Sequence, residues 1–87
     1  MSTSNNHNVY TFPRAEGEEV RIGIREYKNQ RYLDLRIWFQ ASAQEEFRPT
    51  KKGICLDLGQ MPHLTRGVQE LSQAVEKFRR KNYSSVH

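Results

Sequence analysis

Two runs of strict alternation stand back to back near the middle of the chain. From Val20 to Lys28, Val20, Ile22 and Ile24 fall on one side and Arg21, Gly23, Arg25 and Tyr27 on the other. From Arg31 to Phe39, Leu33, Leu35 and Ile37 are set against Tyr32, Asp34, Arg36 and Trp38. A period of two belongs to a strand with one buried face, and the short Lys28-Asn29-Gln30 break joins the runs as a hairpin. This hairpin constrains the rest of the chain. Its apolar face has to be covered, while its other face carries Arg, Tyr and Trp, an unusual composition for a face that is merely wet.

Flanking segments extend the sheet. Val9 to Phe12 reads as a short edge strand closed by Pro13, and Arg14 to Glu19 as a connection turning at Gly17. Gln40 to Thr50 reads as a polar loop, and Gly53 to Leu58 as a fourth strand with Ile54, Leu56 and Leu58 on the core face and Cys55 opposite. From about Met61 the period becomes helical: Leu64, Val68, Leu71, Val75 and Phe78 form an apolar seam at spacings of four and three. Asp57 with Gln60 resembles a capping box, and Pro62 suits a first turn. The helix is expected to end near Arg80. The order β-β-β-β-α gives an α+β fold: a four-stranded curved antiparallel sheet followed by one C-terminal amphipathic helix, with the seam facing the sheet as a second layer. Residues 1–8 read as a disordered tail, 9–81 as one nucleic-acid-binding and dimerisation domain, and 82–87 as a frayed tail.

At 87 residues and 36% hydrophobic content the core is thin. A chain of this size draws only about 3–5 kcal/mol from its own core unless it is stapled or oligomeric. Cys55 is a single cysteine, which excludes an internal disulfide and suggests a reducing, intracellular location: cytoplasm or nucleoid in a bacterium, nucleus in a eukaryote. No apolar run approaches a membrane span, and the polar N-terminus does not resemble a secretory signal. Self-association is the remaining route to stability, so a homodimer is expected, with Leu64, Val68, Leu71, Val75 and Phe78 able both to cover the sheet and to meet a second copy.

The formal charge of +4 is unevenly placed. Residues 20–53 hold eight bases and four acids, and the aromatics lie among them, a pattern that suits a polyanion. Single-stranded nucleic acid requires cations along a groove and flat side chains on which bases stack. Arg25, Lys28, Arg36, Arg48, Lys51 and Lys52 supply the first, and Tyr27, Tyr32 and Trp38 or Phe39 the second. Gly53, beside two lysines, allows a phosphate to approach the backbone. Five neutralised phosphates would set the slope of log K against log salt at about −3.5. Catalysis finds no support, because no histidine or cysteine has metal-ligand spacing or a nucleophile's activating base, and Cys55 reads as buried or inert. No cofactor is expected.

These residues resemble the C-terminal domain of the positive cofactor four family of transcriptional coactivators, over Ile22 to Phe78. The resemblance rests on Ile24-Arg-Glu-Tyr-Lys28, on Leu33-Asp-Leu-Arg36 with Trp38-Phe39, and on Pro49-Thr-Lys-Lys-Gly-Ile-Cys-Leu56, which is similar to the family's Pro-Gly-basic-Lys-Gly-Ile-Ser-Leu. It implies a helix-dimerised sheet that binds single-stranded DNA and melted duplex with little sequence preference and serves the transcription machinery. By position, Tyr27 matches a base-contacting Phe, Lys28 a Lys, Arg36 a DNA-contacting Arg, and Phe39 a stacking Trp. Arg48, Lys51, Lys52 and Gly53 match the family's basic segment. Strand parity instead puts Trp38 on the face with Arg36, so Trp38 and Phe39 both stand as stacking candidates. Asn29 replaces a turn glycine and Gln30 a basic residue. The long regulatory tail of the human-type protein has no counterpart here, which suits a bacterial or phage-type member. An RNA-binding regulator using the same face, and an adaptor docking an acidic protein, are the alternatives.

Overall fold

The computed structural model describes residues 4–86, and Ser4 and residues 81–86 in their backbone only. Four strands, β1 (Ser4–Ala15), β2 (Glu18–Tyr27), β3 (Gln30–Phe39) and β4 (Arg48–Asp57), form one antiparallel sheet in the order β1-β2-β3-β4. A short 3₁₀ turn, Leu58–Gln60, leads into α1 (Met61–Val86). Asp57 precedes that turn without a side-chain cap bond, so the expected capping box does not form, and Pro62 lies in the first turn of α1.

The central hairpin follows its alternation. Val20 pairs with Ile37, Ile22 with Leu35, and Ile24 with Leu33, placing the apolar side chains on one face. Lys28 and Asn29 turn the chain with φ of 51° and 66°, the left-handed pair of a type I′ turn, whose twist matches that of the strands. β1 begins at Ser4, inside the segment expected to be a tail, and continues past Pro13. The edge position tolerates a proline because nothing further out needs its N–H. Backbone pairing also carries the polar residues 5–8 along β2 without an apolar pattern. α1 continues to Val86, beyond the end expected near Arg80.

Two glycines allow neighbouring strands to close up. A Cβ on Gly23 would lie 2.2 Å from the His7 carbonyl oxygen, and one on Gly53 would lie 2.5 Å from the Leu35 carbonyl oxygen. Gly53 thus serves the contact between β3 and β4.

The expected two-layer packing does not occur within one chain. α1 makes little contact with the strands, and the chain has extents of 60 × 37 × 18 Å and a radius of gyration of 16.6 Å, against about 12 Å for a compact chain of this length. Leu64 is half-buried, while Val68, Leu71, Val75 and Phe78 are exposed, Phe78 at 68%. Leu33 is the one buried apolar residue among those described. The helix's apolar stripe and the sheet's apolar face both remain open, because α1 does not fold back over the sheet. Burying a Leu or Phe contributes about 1.5–3 kcal/mol, so the open seam withholds stabilisation comparable with the net stability of a small domain.

Gly23→Ala and Gly53→Ala are each expected to destabilise the sheet by about 1–3 kcal/mol, since the added methyl meets backbone that cannot rotate away. Thermal unfolding should fall by roughly 4–8 °C per kcal/mol. An unchanged melting temperature in either variant would contradict the close approach.

Candidate nucleic-acid interface

The face opposite the apolar residues is built by the same register. Arg21 is paired with Arg36 and Arg36 with Gly53, Glu19 with Trp38, Arg25 with Tyr32, Gly23 with Asp34, and Tyr27 with Gln30. Directly opposed residues share a face, so Arg21, Arg25, Arg36, Tyr27, Tyr32 and Trp38 stand together. Cys55, opposite Asp34, joins them and is exposed rather than buried. Arg25, Tyr27, Tyr32 and Cys55 line an open cavity of about 200 Å³. At the hairpin tip Tyr27 is 41% exposed, and the Lys28 ammonium lies 5.3 Å from its ring centre. Tyr32 donates to Gln30 through its hydroxyl at 2.7 Å.

The far end of the face is more closely filled. The Arg21 guanidinium lies 4.2 Å from the centre of the Trp38 ring and 5.5 Å from that of Phe47, and its Nε donates to Glu19 at 2.6 Å. Trp38 is therefore covered on one side by a planar cation, which itself offers a surface for stacking. Sequence reasoning misses Arg21 and Phe47 as site residues. Arg21 is legible as a cation on the correct side of β2, but its partner Phe47 arrives from the loop between β3 and β4, which has no periodicity.

Parity settles the two aromatics. Trp38 shares the basic face, whereas Phe39 pairs with Glu18 and Arg48 on the side of Val20 and Ile37. Phe39 and Arg48 are thus not brought together with Arg36. Arg36 lies on the expected face but is largely enclosed, its side chain 14% exposed. Its Nη2 donates to Asp34 at 2.9 Å and its Nη1 to the Thr50 carbonyl at 2.9 Å. Asp34 is 8% exposed. The hydrogen bonds to Asp34 hold the Arg36 pKa above its usual value despite partial burial. Lys51 and Lys52, which stand between the expected loop and the expected fourth strand, lie within β4 where the pairing slips, and both are exposed.

Among the described residues, no group of three or more His, Cys, Asp or Glu side chains is placed to hold a metal ion, and no helix is long and apolar enough to cross a membrane. The face offers planar rings and guanidinium groups, with the exposed ammonium groups of Lys28, Lys51 and Lys52 at the hairpin tip and within β4, a set suited to polyanions that carry flat bases.

Two solved structures share this architecture. A PC4 homologue from Burkholderia pseudomallei superposes with a TM-score of 0.70 at 22% identity, over 78% of this chain and 98% of that one. The bacteriophage T5 homologue of the eukaryotic transcription coactivator PC4, implicated in recombination-dependent DNA replication, superposes with a TM-score of 0.53 at 18% identity, over 99% of both chains. No curated protein sequence gives a significant match. The family model of the transcriptional coactivator p15 matches residues 15–66, which take in β2, β3, β4 and the start of α1. With the sheet, its order and its helix in agreement, the chain belongs to the transcriptional coactivator p15 (PC4) family.

Proposed function

We propose that this protein binds single-stranded DNA, or the unpaired strands of a melted duplex, with little sequence preference, and that it does so as a homodimer acting in transcription or in protecting and melting DNA. The observation that carries this reading is the sidedness of the central hairpin: Arg21, Arg25, Arg36, Tyr27, Tyr32 and Trp38 share one face, and Val20, Ile22, Ile24, Leu33, Leu35 and Ile37 share the other. Stacking is worth about 1–3 kcal/mol per base and is indifferent to base identity. Duplex bases are already stacked and out of reach of Tyr27 and Tyr32, which favours strands that are open. The proposed dimer rests on the exposed seam of Val68, Leu71, Val75 and Phe78, for which a second copy supplies a matching apolar surface. Two basic faces in one particle then give a longer binding track. A reducing intracellular setting suits the exposed thiol of Cys55.

Lys51→Glu combined with Lys52→Glu is expected to weaken binding to an oligo-dT strand and to reduce the magnitude of the salt slope by about 1.4, at about 0.7 for each phosphate of a single strand that is no longer neutralised. A folded double variant with unchanged affinity would remove these lysines from the site. Tyr27→Ala should weaken binding roughly five- to one-hundredfold while keeping the slope, the signature of removed stacking rather than removed charge. Preferential binding of a matched RNA oligomer would turn the reading toward RNA. Negligible binding of either nucleic acid at about 0.15 M salt would favour an acidic protein partner.

Sedimentation at micromolar concentration should give twice the chain mass of 10.3 kDa. Leu71→Glu with Val75→Glu should convert it to a less stable monomer, because charges cannot be buried at the seam. A wild-type monomer would contradict the proposed dimer.

A further inference from the structure

β3 and β4 are out of step at one point. Arg36 opposes Gly53 and Trp38 opposes Pro49, so Ile37 alone faces Thr50, Lys51 and Lys52. Two extra residues in one strand of a ladder leave backbone groups without their usual partners and push the added residues outward. Thr50 satisfies two of those groups with one hydroxyl. Its Oγ1 donates to the Ile37 carbonyl at 2.7 Å and accepts from the Lys52 N–H at 3.1 Å. The Thr50 carbonyl in turn accepts from Arg36 Nη1 at 2.9 Å, and Asp34 holds the other edge of that guanidinium through contacts of 2.9–3.3 Å. A chain of contacts therefore runs from the buried Asp34 through Arg36 and Thr50 to the backbone of Lys52.

We infer that Thr50, clamped by the Asp34–Arg36 pair, is a positioning residue that fixes the β4 bulge and sets Lys51 and Lys52 to meet the phosphates of a bound strand. The inference rests on the single-strand reading above. It gives Arg36 a different task from the direct DNA contact implied by the resemblance: enclosed at 14% side-chain exposure and held on both edges, it acts through Thr50. An ordered backbone under two flexible ammonium groups lowers the ordering cost that binding would otherwise meet. The planar fork of arginine, which reaches a carboxylate and a carbonyl together, has no equivalent in lysine.

The test uses the full chain and a fluorescent oligo-dT strand, titrated over a salt series. Thr50→Val keeps shape and charge but removes the hydroxyl, and is expected to bind about three- to tenfold more weakly, the loss that broken hydrogen bonds bring. Thr50→Ser should return to within about twofold of wild type, because it keeps the hydroxyl. Arg36→Lys should bind as weakly as Thr50→Val although its charge is retained. In a Lys51→Ala, Lys52→Ala background, Thr50→Val should cause no further loss, since positioning matters only while the lysines are present. The inference is overturned if folded Thr50→Val matches wild type, if its loss persists undiminished without the two lysines, or if Arg36→Lys binds like wild type. Should Thr50→Val fail to fold, Arg36→Lys in the presence and absence of the lysines decides the same point. A wild-type protein that binds no single strand sinks the functional reading and this inference with it. Wild-type binding with neutral variants sinks this inference alone.

Discussion

The burial that one side of the sheet demands is the constraint around which the rest of the molecule is arranged. Val20, Ile22, Ile24, Leu33, Leu35 and Ile37 are gathered on one face by the hairpin register. Among the described residues nothing closes over them, since α1 makes little contact with the strands and its own apolar stripe is exposed. Sheet and helix thus present two complementary apolar surfaces that one copy cannot join. The proposed pairing between copies is the arrangement that would cover both at once while leaving the opposite face of the sheet free for a ligand.

On that free face, the organisation is electrostatic as much as it is aromatic. Arg21 and Arg36 are each held by a carboxylate, Glu19 and Asp34. Neither contributes a freely mobile charge. One lies against an indole and the other braces the slip in β4, while the exposed cations stand at the margins, at the hairpin tip and on the bulge. The face therefore combines a floor of held guanidinium groups with exposed ammonium groups at its margins, which in the proposed complex would follow a flexible backbone ligand. Such a division favours polyanions of variable sequence, because no array of fixed donors is aimed at a particular base edge.

Much of this is legible in the sequence because alternation and register are the same physical fact. The Ile22–Leu35 and Ile24–Leu33 pairs follow from the period of two, and with them the placement of Arg25, Tyr27, Arg36 and Trp38 on one side. The register puts Trp38 on the face with Arg36, as strand parity expects, and Phe39 on the other. Other features are not legible. Residues 5–8 join β1 through backbone pairing, which leaves no apolar signature. Lys51 and Lys52 lie in a strand that starts at Arg48, because the bulge interrupts the period by which a strand is recognised. The helix seam has the spacing of a packed face, but spacing identifies only the need for a partner surface and not which chain provides it. The enclosure of Arg36 depends on contacts to Thr50, fourteen residues away in the chain, and no local pattern carries it.

The central claim is that this face takes open strands through charge and stacking together. Titration of the wild-type chain with a single strand and with the duplex of the same sequence, each over a salt series, tests it most directly. The single strand should bind more tightly at every salt concentration, with a slope of log K against log salt of about −3.5 and residual affinity persisting at high salt from stacking. Equal or tighter binding to the duplex, or loss of all single-strand affinity as salt rises, would contradict the claim.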